Sequence, residues 1–166
     1  MSDLLLTLDT DPALEALVDE LDHVRRNSYP LTCAVARWLG PELDHWIKLD
    51  ALSQSLDFNG LGANWIELPR RSAAKLLSQI IGGELAYPTE VVPREEADAL
   101  AARFLALFPS GARYFTNGAV SGELAVYDLA GEPVLGWRSL SAAPFDNGVA
   151  VVAPGRVGLL WAQDAP

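Results

Sequence analysis

The stretch ARYFTNGAVSGELAVYDLAGEPVLGWRSLSAAPFDNGVAVVAPGRVGLLWAQDA, Ala112 to Ala165, decides how the rest of the chain is read. Five apolar segments occur in it: Arg113–Thr116, Leu124–Leu129, Val134–Leu140, Val149–Ala153 and Arg156–Ala162. Turn-forming residues separate them: Asn117-Gly118, Ala130-Gly131-Glu132-Pro133, Asp146-Asn147-Gly148 and Pro154-Gly155. Asn and Gly tolerate positive φ and Pro presets φ near −65°, so each cluster has a mechanism for reversing the chain. The apolar content is β-branched and aromatic (Val126, Tyr127, Trp137, Val149, Val151, Trp161), which suits a pleated surface. The expectation is an antiparallel β-meander of four to five strands over 112–163.

Upstream the pattern is helical. Asp11 is placed as an N-cap with Pro12 at the first helical position. Leu14, Leu17, Val18, Leu21 and Val24 then recur on one face, with Glu15, Asp19, Glu20 and Asp22 opposite them. Arg25 and Arg26 close this helix, where cations suit the dipole. Leu4–Leu8 reads as a short edge strand or as the lead-in to the helix. Leu31–Leu39 reads as a short helix stopped by Gly40-Pro41, and a longer helix is expected from Pro41 to about Leu56. Trp65–Leu68 looks extended. Further helices are expected from Pro69 to Gly82-Gly83 and from Pro93 to about Phe108, with Pro109 ending the last. Helices first and strands last predict a single α+β domain, helical over 11–109, with about four helices covering one face of the sheet.

Composition excludes several classes. Half the residues are hydrophobic and 20% are charged, which rules out a largely disordered chain. No apolar run approaches the roughly 20 residues that cross a bilayer. Met1–Asp11 lacks the basic start and cleavage site of a secretory leader. Cys33 is the only cysteine, so no internal disulfide forms, and a cytoplasmic location is the default. Twelve basic residues against 22 acidic ones give a net charge of −10, which disfavours nucleic acid and anionic membrane and favours a basic protein partner. Half of that charge lies between Met1 and Asn27, where seven acids face two bases. The plainer reading is solubility alone.

Residues suited to chemistry are few. His23 falls opposite the apolar stripe of its helix and should be exposed. His45 sits between Asp44 and Trp46, but neighbouring helical residues do not face each other, and no zinc spacing accompanies it. Cys33 lies in an apolar segment and reads as a small buried hydrophobe. No nucleophile elbow, phosphate loop or dinucleotide fingerprint occurs, so no cofactor, metal or catalytic residue is assigned. Asp44, Asp50 and Asp57 fall on or near the second helix, and Asp164 at a strand end; paired carboxylates run glycoside chemistry only if they face each other across a cleft. Asp128 and Asp146 stand where Asp commonly starts a turn. Arg70 and Arg71 occupy a helix's first turn against its dipole, either holding an anion or, more simply, pairing with nearby acids. Five tryptophans divide between core and binding-rim readings.

Two functions of different kind follow as expectations. One is a non-catalytic acidic protein, of the immunity or antitoxin type in its concrete form, that binds a basic partner through Glu15, Asp19, Glu20 and Asp22. The alternative is a small-molecule site between helices and sheet, with Arg70, Arg71, Tyr114, Asn117 and His45 as its polar groups. A homodimer, or a subunit of a larger assembly, is the third arrangement.

Overall fold

A computed structural model describes residues 5–120 and 125–165. Its framework is a six-stranded antiparallel sheet built around the hairpin of β7 (Phe145–Ala153) and β8 (Arg156–Asp164), nine residues each. The turn is Pro154-Gly155, and Gly155 supplies the positive φ of 69°. On one flank β8 pairs with β2 (Leu31–Trp38), which pairs with the edge strand β1 (Leu6–Leu8). On the other, β7 pairs with β4 (Arg113–Thr116), which pairs with β3 (Ile66–Leu68). A separate two-stranded ribbon joins β5 (Gly118–Ala119) to β6 (Gly136–Trp137).

Side chains alternate across the sheet, and both faces are covered. Val35, Val149, Val151 and Leu160 join one core with α1 (Pro12–Val24), α3 (Arg70–Gly82) and α4 (Arg94–Leu105). Ala36, Phe115, Ala150, Leu159 and Trp161 join a second core with α2 (His45–Ser55) and the segment holding Phe58, Leu61 and Trp65. Each fully buried Leu, Ile or Val in these layers contributes about 1.5–3 kcal/mol. Among the described residues no helix is long and apolar enough to cross a membrane.

The helices expected at Pro12, Pro69 and Pro93 are present. Asp11 caps α1 by accepting from the Ala13 amide at 2.8 Å, and Gly83 ends α3. Several other expectations are corrected. The segment expected as a helix over Leu31–Leu39 is instead the strand Leu31–Trp38, lying inside the sheet. Its apolar residues serve both faces, Val35 in one core and Ala36 and Trp38 in the other, so the run Cys33–Ala36 shows no alternation. The strands therefore come from both halves of the chain, and α2 occupies the face opposite the other helices. The second helix starts at His45 rather than Pro41. Asp146-Asn147-Gly148 is not a turn but lies inside β7. Of the expected strand Val134–Leu140 only Gly136–Trp137 pairs, and Tyr127 makes an isolated bridge to Pro133. Leu4 and Leu124, which begin two of the expected segments, lie outside the described residues.

Arg25 takes a different role from the one its position suggested. It is 2% exposed, and its guanidinium turns inward to donate to the carbonyls of Ile81 at 2.8 Å, Gly83 at 2.9 Å and Ile80 at 3.2 Å. These are the orphan carbonyls at the C-terminus of α3, so a cation from α1 caps its neighbour instead of its own helix.

Candidate functional site

The apolar stripe Leu14, Leu17 and Leu21 fixes the orientation of α1 against the sheet. Its other face consequently presents Glu15, Asp19 and Asp22 to solvent, with Glu20 half-buried and His23 exposed. Glu15 and Asp19 are four residues apart and Asp19 and Asp22 three apart, so their carboxylates are neighbours on the helix surface. Each such like-charge pair costs a helix about 0.2–0.5 kcal/mol. Among the described residues none of the four acids enters an ion pair. Ion pairs form elsewhere: Lys48 with Glu42, Arg113 with Glu67, and Arg156 with Asp9 and Asp11. The start of α1 is thus charge-matched and its length is not. Beside it, α4 exposes Glu95 and Glu96 in its first turn. Glu20 and Glu96 both line a depression of about 400 Å³ with Val24, Val91 and Val92, and Arg26 and His23 line it too.

The five residues of the alternative site do not converge. Tyr114 belongs to the core beneath α3, where its hydroxyl accepts from Arg70 at 2.8 Å. The next residue, Phe115, points to the opposite face, and His45 stacks on it at 4.5 Å. His45 is therefore separated from Tyr114 by the sheet itself. Burial, followed by the nearby Arg113, holds the imidazole below its ordinary pKa of 6.5. Arg71 is exposed, and among the described residues neither Arg70 nor Arg71 pairs with an acid; Tyr114 takes the place expected of a carboxylate. Asn117 is 1% exposed and lines a small cavity with Ile66, Trp137 and Arg138 but with none of the other four.

Asn117 belongs instead to a buried polar network centred on Asp146. Asp146 is 0% exposed. One oxygen accepts from Asn117 Nδ2, Leu140 N and Trp161 Nε1, and the other from Leu140 N, Ser141 N and Ser141 Oγ, all between 2.9 and 3.2 Å. Asn147 extends the network to the Asn117 oxygen and the Gly118 carbonyl, both at 2.9 Å. The turn role expected of Asp146 is corrected accordingly: this carboxylate ties the segment before β7 to β8. Asp128 does start a turn, accepting from Ala130 N and Glu132 N at 2.9 Å each. Asp50 performs a third local task, receiving Leu61 N, Gly62 N and Trp65 Nε1 and so fastening the segment after α2. Asp44 stands at the N-cap of α2, and Asp57 adopts a positive φ of 65°. Asp164 is buried and accepts from Leu85 N at 2.5 Å.

Of the tryptophans, Trp38, Trp65 and Trp161 are core, Trp137 is half-buried, and Trp46 is 37% exposed. Cys33 is half-buried beneath α1, where burial first and the Asp22 carboxylate second push its thiol up to about 12. It stays protonated and unreactive at neutral pH. The inward turn of Arg25 and the Asp146 network had no signature in the sequence, because their partners lie far along the chain. Searched against protein-family models, curated proteins and solved structures, the chain matches none.

Proposed function

We propose that the protein is a non-catalytic acidic binding protein whose partner is a basic protein, met along the outward face of α1. The observation that carries this reading is that Glu15, Asp19, Glu20 and Asp22 repeat along one helix with no counter-ion among the described residues. Two of the chain's other carboxylates, Asp50 and Asp146, are saturated by N–H and O–H donors. The four on α1 do no comparable work. They weaken the isolated helix through repulsion, and a cationic partner relieves that repulsion on binding. In its sharpest form the partner is a toxin whose cationic site these carboxylates cover, which makes the protein an immunity or antitoxin-type neutraliser in the cytoplasm.

The test is affinity capture from the source cell's lysate at about 50 and about 500 mM salt, where screening differs severalfold. Wild type is compared with a variant carrying E15Q, D19N, E20Q and D22N. A basic protein held at low salt by wild type, released at high salt and not held by the variant supports the reading. Equal capture by both chains, or none by either, refutes it. Rescue of growth when the captured protein is toxic decides the neutraliser version.

A further inference from the structure

Between α1 and the β1–β2 pair lies an open slot of about 330 Å³, at the lower end of the 300–1,000 Å³ that ligand sites occupy. Its apolar wall is formed by Leu8, Leu14, Val18, Cys33, Ala34 and Val35, of which Leu8 is exposed. Three carboxylates stand at its edge, Asp9, Glu15 and Asp19, and among the described residues no lysine or arginine lines it. The three are not equivalent. Asp9 is matched by Arg156 at 2.5 Å, and this hydrogen bond holds its carboxyl below the usual range. Among the described residues Glu15 and Asp19 have no such partner.

An apolar trough beside two uncompensated carboxylates selects one kind of occupant. An anion is repelled by the edge. A purely apolar group fills the trough and leaves the carboxylates unmatched. A long aliphatic stem ending in a cation satisfies both parts, because Lys and Arg lay their methylenes along apolar surface while keeping the charged head at the solvent boundary. We infer, building on the reading above, that this slot receives a lysine or arginine side chain of the basic partner. The stem lies along Leu8 and Val18 over the buried floor of Leu14 and Val35, and the cation lies between Glu15 and Asp19. The neutral Cys33 thiol forms part of the apolar wall. The slot then supplies what a charged helix face alone lacks, a fixed register for one partner residue.

The test is an NMR titration of the intact chain with the peptide acetyl-Gly-Lys-Gly-amide and with its norleucine and glutamate counterparts at low salt. The lysine peptide is expected to shift the amides of Leu14, Val18, Cys33 and Val35. The glutamate peptide leaves them in place. In the E15Q/D19N chain the lysine peptide binds about fivefold more weakly, the effect expected for losing exposed ion pairs. Both substitutions are at exposed positions, so the folded spectrum is retained and the comparison stays readable. Norleucine binding as tightly as lysine overturns the proposal, and so do shifts spread evenly over the acids of α1 and α4. If lysate capture depends on the four carboxylates while the peptide misses the slot, the slot fails and the basic-partner reading stands. If capture fails while the peptide seats between Glu15 and Asp19, the slot stands and that reading falls.

Discussion

Replacing Asp146 by alanine tests whether the buried network holds the fold together. The substitution removes the acceptor of the Leu140 amide, of the Ser141 amide and hydroxyl, and of the Trp161 indole N–H. Asn117 is less affected, because its Nδ2 also donates to the carbonyls of Arg138 and of residue 146 itself. Leu140 and Trp161 are both 0% exposed, so no solvent replaces the lost oxygen. At about 1–3 kcal/mol for each buried orphan donor, these two alone predict a loss of about 2–6 kcal/mol. Urea unfolding followed by tryptophan fluorescence is the assay. With a slope of about 2 kcal/mol per molar, the midpoint falls by about 1–3 M. Asp146→Asn should lose less but still lose, since both carboxylate oxygens face only donors and the amide NH2 meets one in either orientation. An Asp146→Ala midpoint within about 0.3 M of wild type would refute the reasoning.

Arg25→Leu should cost about 2–4 kcal/mol in the same assay, because it strips the cap from the Ile81 and Gly83 carbonyls; a loss under about 0.5 kcal/mol would place the capping elsewhere. His45 should titrate below 6.5 in an imidazole NMR experiment, given the burial and the Arg113 charge that favour its neutral form. Since the folded chain then binds fewer protons than the unfolded one, stability present above pH 6.5 is lost as pH falls through that value toward the lower folded pKa. Wild type should accordingly lose more stability than His45→Gln between pH 7 and 5, and a midpoint at or above 6.5 contradicts this. Cys33, with its thiol pushed up to about 12, should react slowly with a disulfide reagent at pH 8 in the folded chain and rapidly in urea. A fast reaction without denaturant would mean the thiol is not shielded under α1.

Amphipathic helices declared themselves. The Leu14/Leu17/Leu21 stripe with its Asp11-Pro12 start, and Leu76, Leu77, Ile80 and Ile81 before Gly83, each mark one buried face and one stop. The hairpin of β7 and β8 was legible from Pro154-Gly155 between two β-branched runs. Strand β2 was not, because Cys33, Ala34, Val35 and Ala36 follow one another with no polar residue between them, Val35 serving one core and Ala36 the other, so that no alternation of polarity marks the strand. Asp146-Asn147-Gly148 has the composition of a reversal. What makes it a strand is a set of donors at Asn117, Leu140 and Trp161, brought close only by the finished sheet. The exposed acids of α1 were readable from periodicity. The slot beside them was not, since its far wall is β2, the strand that local pattern misassigned.

The sheet order has a bearing on how the chain is made. β2 takes its main partner from a strand about 130 residues further along, for Leu31 lies opposite Ala162 and Cys33 opposite Leu160. On the ribosome β2 therefore emerges long before β8, and only the three-residue β1 is at hand to pair with it. Until β8 is synthesised, one side of this apolar ribbon stays unzipped and open to other nascent chains. Adding β8 to the growing polypeptide should bring protease resistance to β1, α1 and β2 in one late step rather than gradually.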